Sequence, residues 1–148
     1  MAESDLPILF EHQREPEAND MAAFAARDWN AFIAHWTRIL ADETISKKTI
    51  LFDGRVAGNI VSYVNDAGER EVGYWIGREY WGRGLATRAL SRFLDQVRTR
   101  PLYARVATHN LASIRVLKKC GFTISGRDEG SPDARGAQVE ELVLTLGT

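Results

Sequence analysis

Cysteine is almost missing from this chain of 148 residues: Cys120 stands alone. A single thiol excludes an internal disulfide framework and any cysteine-cluster metal site, and it fits a reducing compartment, so a cytoplasmic location is expected. Long apolar runs are missing too, and nothing approaches the ~20 residues that a membrane span requires. Met1 to Asp5 carries acidic residues and no apolar leader. Nor does one sign of charge dominate. Nineteen basic residues oppose twenty acidic ones, for a net charge of −1. No global field therefore draws the chain to nucleic acid or anionic lipid; neither is an expected partner, and any polyanion site must be local. Internal repeats and low-complexity tracts are absent.

What is present is an ordinary globular composition, 45% hydrophobic and 26% charged, enough for one domain over residues 1–148 with a full core. Leu6 to Phe10 is a short apolar run that reads as a first strand. Pro16 opens a stretch in which Met21, Phe24 and Ala25 recur at helical spacing, predicting a first helix. Asp28 is positioned to cap a second, whose Phe32, Ile33, Trp36, Ile39 and Leu40 share one face. From Thr49 the period becomes two. Ile50 to Asp53 and Val56 to Val64 read as strands joined at Asp53-Gly54, followed by a strand from Glu69 to Ile76. After Gly82 and Gly84 a helical stripe runs from Leu85 through Val97 and ends before Pro101. Leu102 to Thr108 reads as a strand, and Asn110 caps a short helix through Lys119, closed by Gly121. Phe122 to Asp128 and Val139 to Leu146 form a last hairpin across a mobile connection, Glu129 to Gln138.

The segment Trp81-Gly82-Arg83-Gly84-Leu85-Ala86-Thr87 places glycines where a strand gives way to a helix. Successive backbone N–H groups there can converge on one anion, and the helix macrodipole adds roughly half a positive charge, so the pattern reads as a pyrophosphate seat. A P-loop would need Gly-Lys-Ser/Thr after its spacer, and the dinucleotide fingerprint would need Gly or Ala where Thr87 stands. Neither motif fits.

Two stretches together carry a resemblance. Glu71-Val72-Gly73-Tyr74-Trp75-Ile76 with Tyr80 to Thr87, and then Asn110 to Phe122, are similar to the two acetyl-CoA motifs of the GNAT superfamily of N-acetyltransferases, in the superfamily's order. The likeness is strongest to the branch of the ribosomal-protein N-terminal (serine/alanine) acetyltransferases. It implies an α/β fold with a mixed, mostly antiparallel sheet of about six to seven strands and four flanking helices. In that scheme residues 6–48 give a strand and two acceptor-side helices, 49–128 the acetyl-CoA-binding core, and 129–148 the loop and closing strand. The implied reaction moves an acetyl group from acetyl-CoA, with no metal, to the primary amine of a protein N-terminus, peptide or small molecule, by direct attack in a ternary complex. A monomer or homodimer is expected. A non-catalytic acyl-CoA-binding or sensing domain is the alternative, and an unrelated nucleotide-binding module a more distant one.

The resemblance also implies roles. The backbone from Gly82 to Thr87, through Leu85 and Ala86, would seat the CoA pyrophosphate with Arg83 adding charge. The strand ending at Trp75 and Ile76 would pair with the pantetheine arm, Asn110 would contact it, and Ser113 would lie near the sulfur. A backbone N–H near Tyr74, at a bulge, would hold the oxyanion. Trp81 stands where the family often has Gln or Arg, and Leu117 where it often has a proton-donating tyrosine. Glu71, on the strand face opposite Val72 and Tyr74, is the expected base. Trp29 and His35 are candidate acceptor contacts. Cys120 reads as a core residue, without a triad around it.

Overall fold

The structure, a computed structural model, describes residues 1–17, 19, 27–132 and 138–147. Leu6 to Phe10 is not a strand. It opens helix α1, Leu6–Arg14, with Pro7 in its first turn and Leu6, Leu9, His12 and Gln13 buried. Five apolar residues satisfy either period, but these buried positions recur at helical spacing, and proline is well suited to a first turn. The Met21, Phe24 and Ala25 stripe lies outside the described residues. Helix α2, Trp29–Ala41, begins as expected: the Asp28 carboxylate accepts from the Ala31 N–H at 2.8 Å. Leu6 and Leu9 of α1 pack with Phe32 and Trp36 of α2 into a small apolar cluster, which Val56 and Val61 join from the sheet.

Six strands follow: β1 Ser46–Phe52, β2 Arg55–Val64, β3 Arg70–Ile76, β4 Leu102–Ala107, β5 Thr123–Pro132 and β6 Gln138–Leu146. Their order is β1-β2-β3-β4-β6-β5, antiparallel everywhere except between β3 and β4. Asp53 and Gly54, at φ +50° and +76°, make the tight β1–β2 turn that two positive φ angles in succession permit. β5 extends past the expected end at Asp128 to Pro132, and the connection beyond it, 133–137, lies outside the described residues.

Helix α3, Leu85–Gln96, and helix α4, Leu111–Lys119, lie on one face of the sheet. The main core forms there, with Leu90, Leu102 and Leu144 fully buried and Leu117 and Phe93 nearly so. Each such side chain contributes about 1.5–3 kcal/mol of burial free energy. The Asn110 side chain accepts from the Ser113 N–H at the start of α4. At its end the N–H groups of Gly121 and Phe122 donate to the carbonyls of Lys118 and Leu117, with Gly121 at φ +98°. That is the Schellman closure, for which glycine suits the left-handed position. Helices α1 and α2 cover part of the opposite face. Gly77 has a different constraint: a Cβ there would stand 2.6 Å from Nε2 of the buried His12 ring.

The feature that positions the site is a parting of strands. β3 pairs with β4 at Glu71↔Tyr103 alone, whereas on its other edge β4 pairs with β6 along its whole length. The bulge expected near Tyr74 is absent: the β2–β3 register runs unbroken from Val64↔Arg70 to Gly58↔Ile76. The Gly77 N–H donates to Ala57 on the β2 side. Strand alternation therefore turns the N–H and C=O groups of Tyr74 and Ile76 the other way, toward the gap left by β4.

Candidate active site

A cavity of about 430 Å³ lies beside that edge of β3, between its end, the first turn of α3 and one face of α4. Its α3 rim is built by backbone conformation. Gly82 and Gly84 sit at φ +76° and +68°, where side-chain-bearing residues are strained, and Gly84 is the N-cap of α3. The first intrahelical bond is Arg88 N–H to the Gly84 carbonyl, so the N–H groups of Gly84, Leu85, Ala86 and Thr87 have no intrahelical acceptor. Trp81 braces the approach to this turn, its indole N–H donating to the Ile76 carbonyl at 2.9 Å.

Of the residues expected to hold the cofactor, Trp75, Ile76, Trp81, Gly82, Gly84, Leu85, Ala86, Thr87, Asn110 and Ser113 all line the cavity, and Tyr74 joins them. Arg83 does not: its guanidinium lies 5.5 Å from the centroid of the Phe52 ring. Two other cations, Arg115 and Lys119, line the cavity from α4 together with Ala112 and Val116. Lys118, the third cation of this segment, is outside the lining. The signal that separates them is helical spacing, since 112, 115, 116 and 119 share a face while 118 does not. Leu117 is likewise turned away; it is 1% exposed, packed in the core and outside the lining.

Inside the cavity the Tyr74 hydroxyl lies 2.6 Å from Ser113 Oγ. Burial pushes the Tyr74 pKa up to about 12, partly offset by that hydrogen bond, so the phenol stays protonated at neutral pH. Cys120 is half-buried near the Thr87 carbonyl, and burial raises its thiol pKa. A thiol held protonated is a poor nucleophile.

Glu71 is outside the lining, on the other face of the sheet, at the last point where β3 and β4 still pair. It is buried, not solvated. Its Oε2 accepts from Asn65 Nδ2 at 2.6 Å and from Arg105 Nε at 3.4 Å, while among the described residues Oε1 has only the Tyr63 hydroxyl at 3.5 Å. Arg105 in turn pairs with Asp128 at 2.7 Å. Glu141 lies close enough for its proton affinity to rise, through burial first and then the Glu71 and Asp128 charges, against the lowering effect of Arg105. One carboxylate oxygen of Glu71 is thus tethered and the other retains acceptor capacity.

Trp29 and His35 are not brought to the cavity. Trp29 stacks on Phe32 and meets the edge of Phe10. His35 lies edge-on to Trp36, its pKa lowered by burial and by Arg27 and Arg38. Among the described residues no group of three or more His, Cys, Asp or Glu side chains is placed to hold a metal, and no helix is long and apolar enough to cross a membrane.

Comparison with known proteins agrees with this geometry. The protein p20 of Bacillus licheniformis, described as an uncharacterised N-acetyltransferase, is 27% identical over 106 residues, covering 69% of this chain and 58% of p20. The chain therefore spans less than two thirds of that relative. Among solved structures, the microcin C7 self-immunity acetyltransferase MccE, in complex with acetyl-CoA and AMP, superposes with a TM-score of 0.80 at 17% identity over 99% of this chain and 89% of its own. The ribosomal-protein-alanine N-acetyltransferase of Brucella melitensis gives 0.79 at 17% identity over 100% and 97%. At such identities the likeness is one of fold. The sequence model of the acetyltransferase (GNAT) domain matches residues 1–123, and with most of its length inside that match the chain belongs to the GNAT family.

Proposed function

We propose that this protein binds acetyl-CoA in the β3–β4 gap and transfers its acetyl group directly to a primary amine, on a protein or peptide N-terminus or on a small molecule, in a ternary complex. One observation carries the reading. The orphan amides of Gly84, Leu85, Ala86 and Thr87 open on the same cavity as the β3 edge at Tyr74 and Ile76, along which β4 does not pair and where the Ile76 carbonyl accepts from Trp81. A diphosphate suits the first, and an extended chain of amides suits the second as an added strand would. Arg115 and Lys119 supply cations for phosphate. The family membership and the N-acetyltransferase p20 support the same direction.

In this reading Asn110 meets the pantetheine arm, and the Tyr74 N–H, directed into the gap by strand alternation, stabilises negative charge on the acetyl oxygen. Ser113 donates to the departing sulfur. Glu71 takes the proton of the attacking amine, directly or through water, from the opposite face of the sheet. A cytoplasmic location goes with the reading, and Trp29 and His35 remain as outlying acceptor contacts on α2.

Titration calorimetry with acetyl-CoA and CoA, followed by a thiol-release assay over a panel of amines and N-terminal peptides, tests the proposal. Micromolar binding with amine-dependent thiol release is expected. The core position of Leu117, where a tyrosine would have donated a proton, gives the sensor alternative its basis; binding without turnover on any amine would favour it. The Cys120→Ser variant should keep activity, with intersecting initial-rate lines, because the wild-type thiol is shielded and protonated. Parallel lines lost on that substitution would establish an acetyl-cysteine route instead.

A further inference from the structure

We infer that the Tyr74 side chain is a positioning residue that aims the Ser113 hydroxyl at the departing sulfur, an inference that rests on the acetyl-CoA reading of the cavity. Both side chains line the cavity, and their oxygens are 2.6 Å apart. They come from β3 and the first turn of α4, 39 residues apart in sequence. A lone serine hydroxyl rotates freely and can turn its proton to any acceptor in reach. Either hydroxyl could donate across the 2.6 Å contact, and the phenol also lies 3.4 Å from the Ser113 carbonyl; the phenol is the stronger acid, so we take Tyr74 O–H as the donor and Ser113 Oγ as the acceptor. The Ser113 Cβ–Oγ torsion is then pinned, and its own proton is left for a third group in the cavity.

The accounting of atoms is simple. As the carbon–sulfur bond breaks, the electron pair stays on sulfur, and Ser113 O–H donates a hydrogen bond to it without losing its proton. Tyr74 keeps its proton as well. The proton lost by the amine reaches the thiolate by way of Glu71 and solvent. Tyr74 thus fills part of the place left vacant at Leu117, from a strand rather than a helix, and by holding another donor rather than by acting as the acid.

The test compares Tyr74→Phe, Ser113→Ala and the double variant. The phenylalanine ring preserves the packing of Tyr74 against the core. Each single variant should lower kcat about tenfold to a hundredfold, with KM for acetyl-CoA unchanged. The double variant should be no slower than Ser113→Ala, as residues acting in series require. A readout independent of the acceptor is the titration of bound CoA by thiolate ultraviolet absorbance. The thiol pKa should be lower than that of free CoA in the wild type and should return toward the free value in both single variants. Wild-type protein that fails to bind CoA overturns the acetyl-CoA reading and this inference with it. Protein that binds CoA with an unshifted thiol, a Tyr74→Phe variant that retains the shift, or multiplicative effects in the double variant overturns the inference alone.

Discussion

Replacing Glu71 by glutamine is expected to lower kcat about a hundredfold or more, the scale of a positioned general base, while leaving acetyl-CoA affinity unchanged. The amide is nearly isosteric and its oxygen can still accept from Asn65 and Arg105, so the junction of β3 and β4 should hold its shape. What is lost is the capacity to take a proton at Oε1, the oxygen left with acceptor capacity. Affinity is insulated because Glu71 is outside the cavity lining and on the opposite face of the sheet. Steady-state kinetics across the pH range, with calorimetry for acetyl-CoA, separate the two possible roles. A purely structural glutamate would give a lower melting temperature with kcat intact, since a buried partner of Arg105 has been weakened. Full turnover at every pH in the variant removes Glu71 as the base.

Gly84→Val should weaken acetyl-CoA binding by about tenfold or more, since holding an L-residue in the left-handed region costs about 1–2 kcal/mol and a β-branched one more. A Cβ built on Gly84 meets no protein atom within 4 Å, so the substitution raises no clash in the free protein. Its effect falls on the conformation at φ +68° that begins α3 and orients the orphan amides, and on the space where a diphosphate would approach. Calorimetry on folded variant, checked by circular dichroism, measures it. Wild-type affinity in that variant would place the phosphates somewhere other than the start of α3.

Several local elements were legible because their signals are local. Asp28 and Asn110 are short acceptor side chains ahead of amphipathic stretches, and both cap helices as written. Asp53-Gly54 and Gly121 satisfy turn geometries that few other residues adopt. The glycine pair before Leu85 belongs to the same class, and most of the cavity rim followed from it. Leu6 to Phe10 was misread because five apolar residues carry no period of their own; packing against α2 and β2 chose the helix. Arg83 and Arg115 were also not separable by charge alone. One is drawn over Phe52 by a neighbouring strand, the other turned inward by its place on α4.

The amino-acid order by itself determined the sheet-and-helix alternation, the amide seat at the start of α3 and, through two motifs, the family. Tertiary structure alone decided which groups meet. The gap exists because β3 and β4 pair at Glu71↔Tyr103 and diverge beyond it, a relation between two strands that no single segment encodes. Glu71 meets Arg105 across 34 residues, and Tyr74 meets Ser113 across 39. Hydrogen-bond geometry at such separations depends on where whole elements pack, and periodicity within one element carries no information about it.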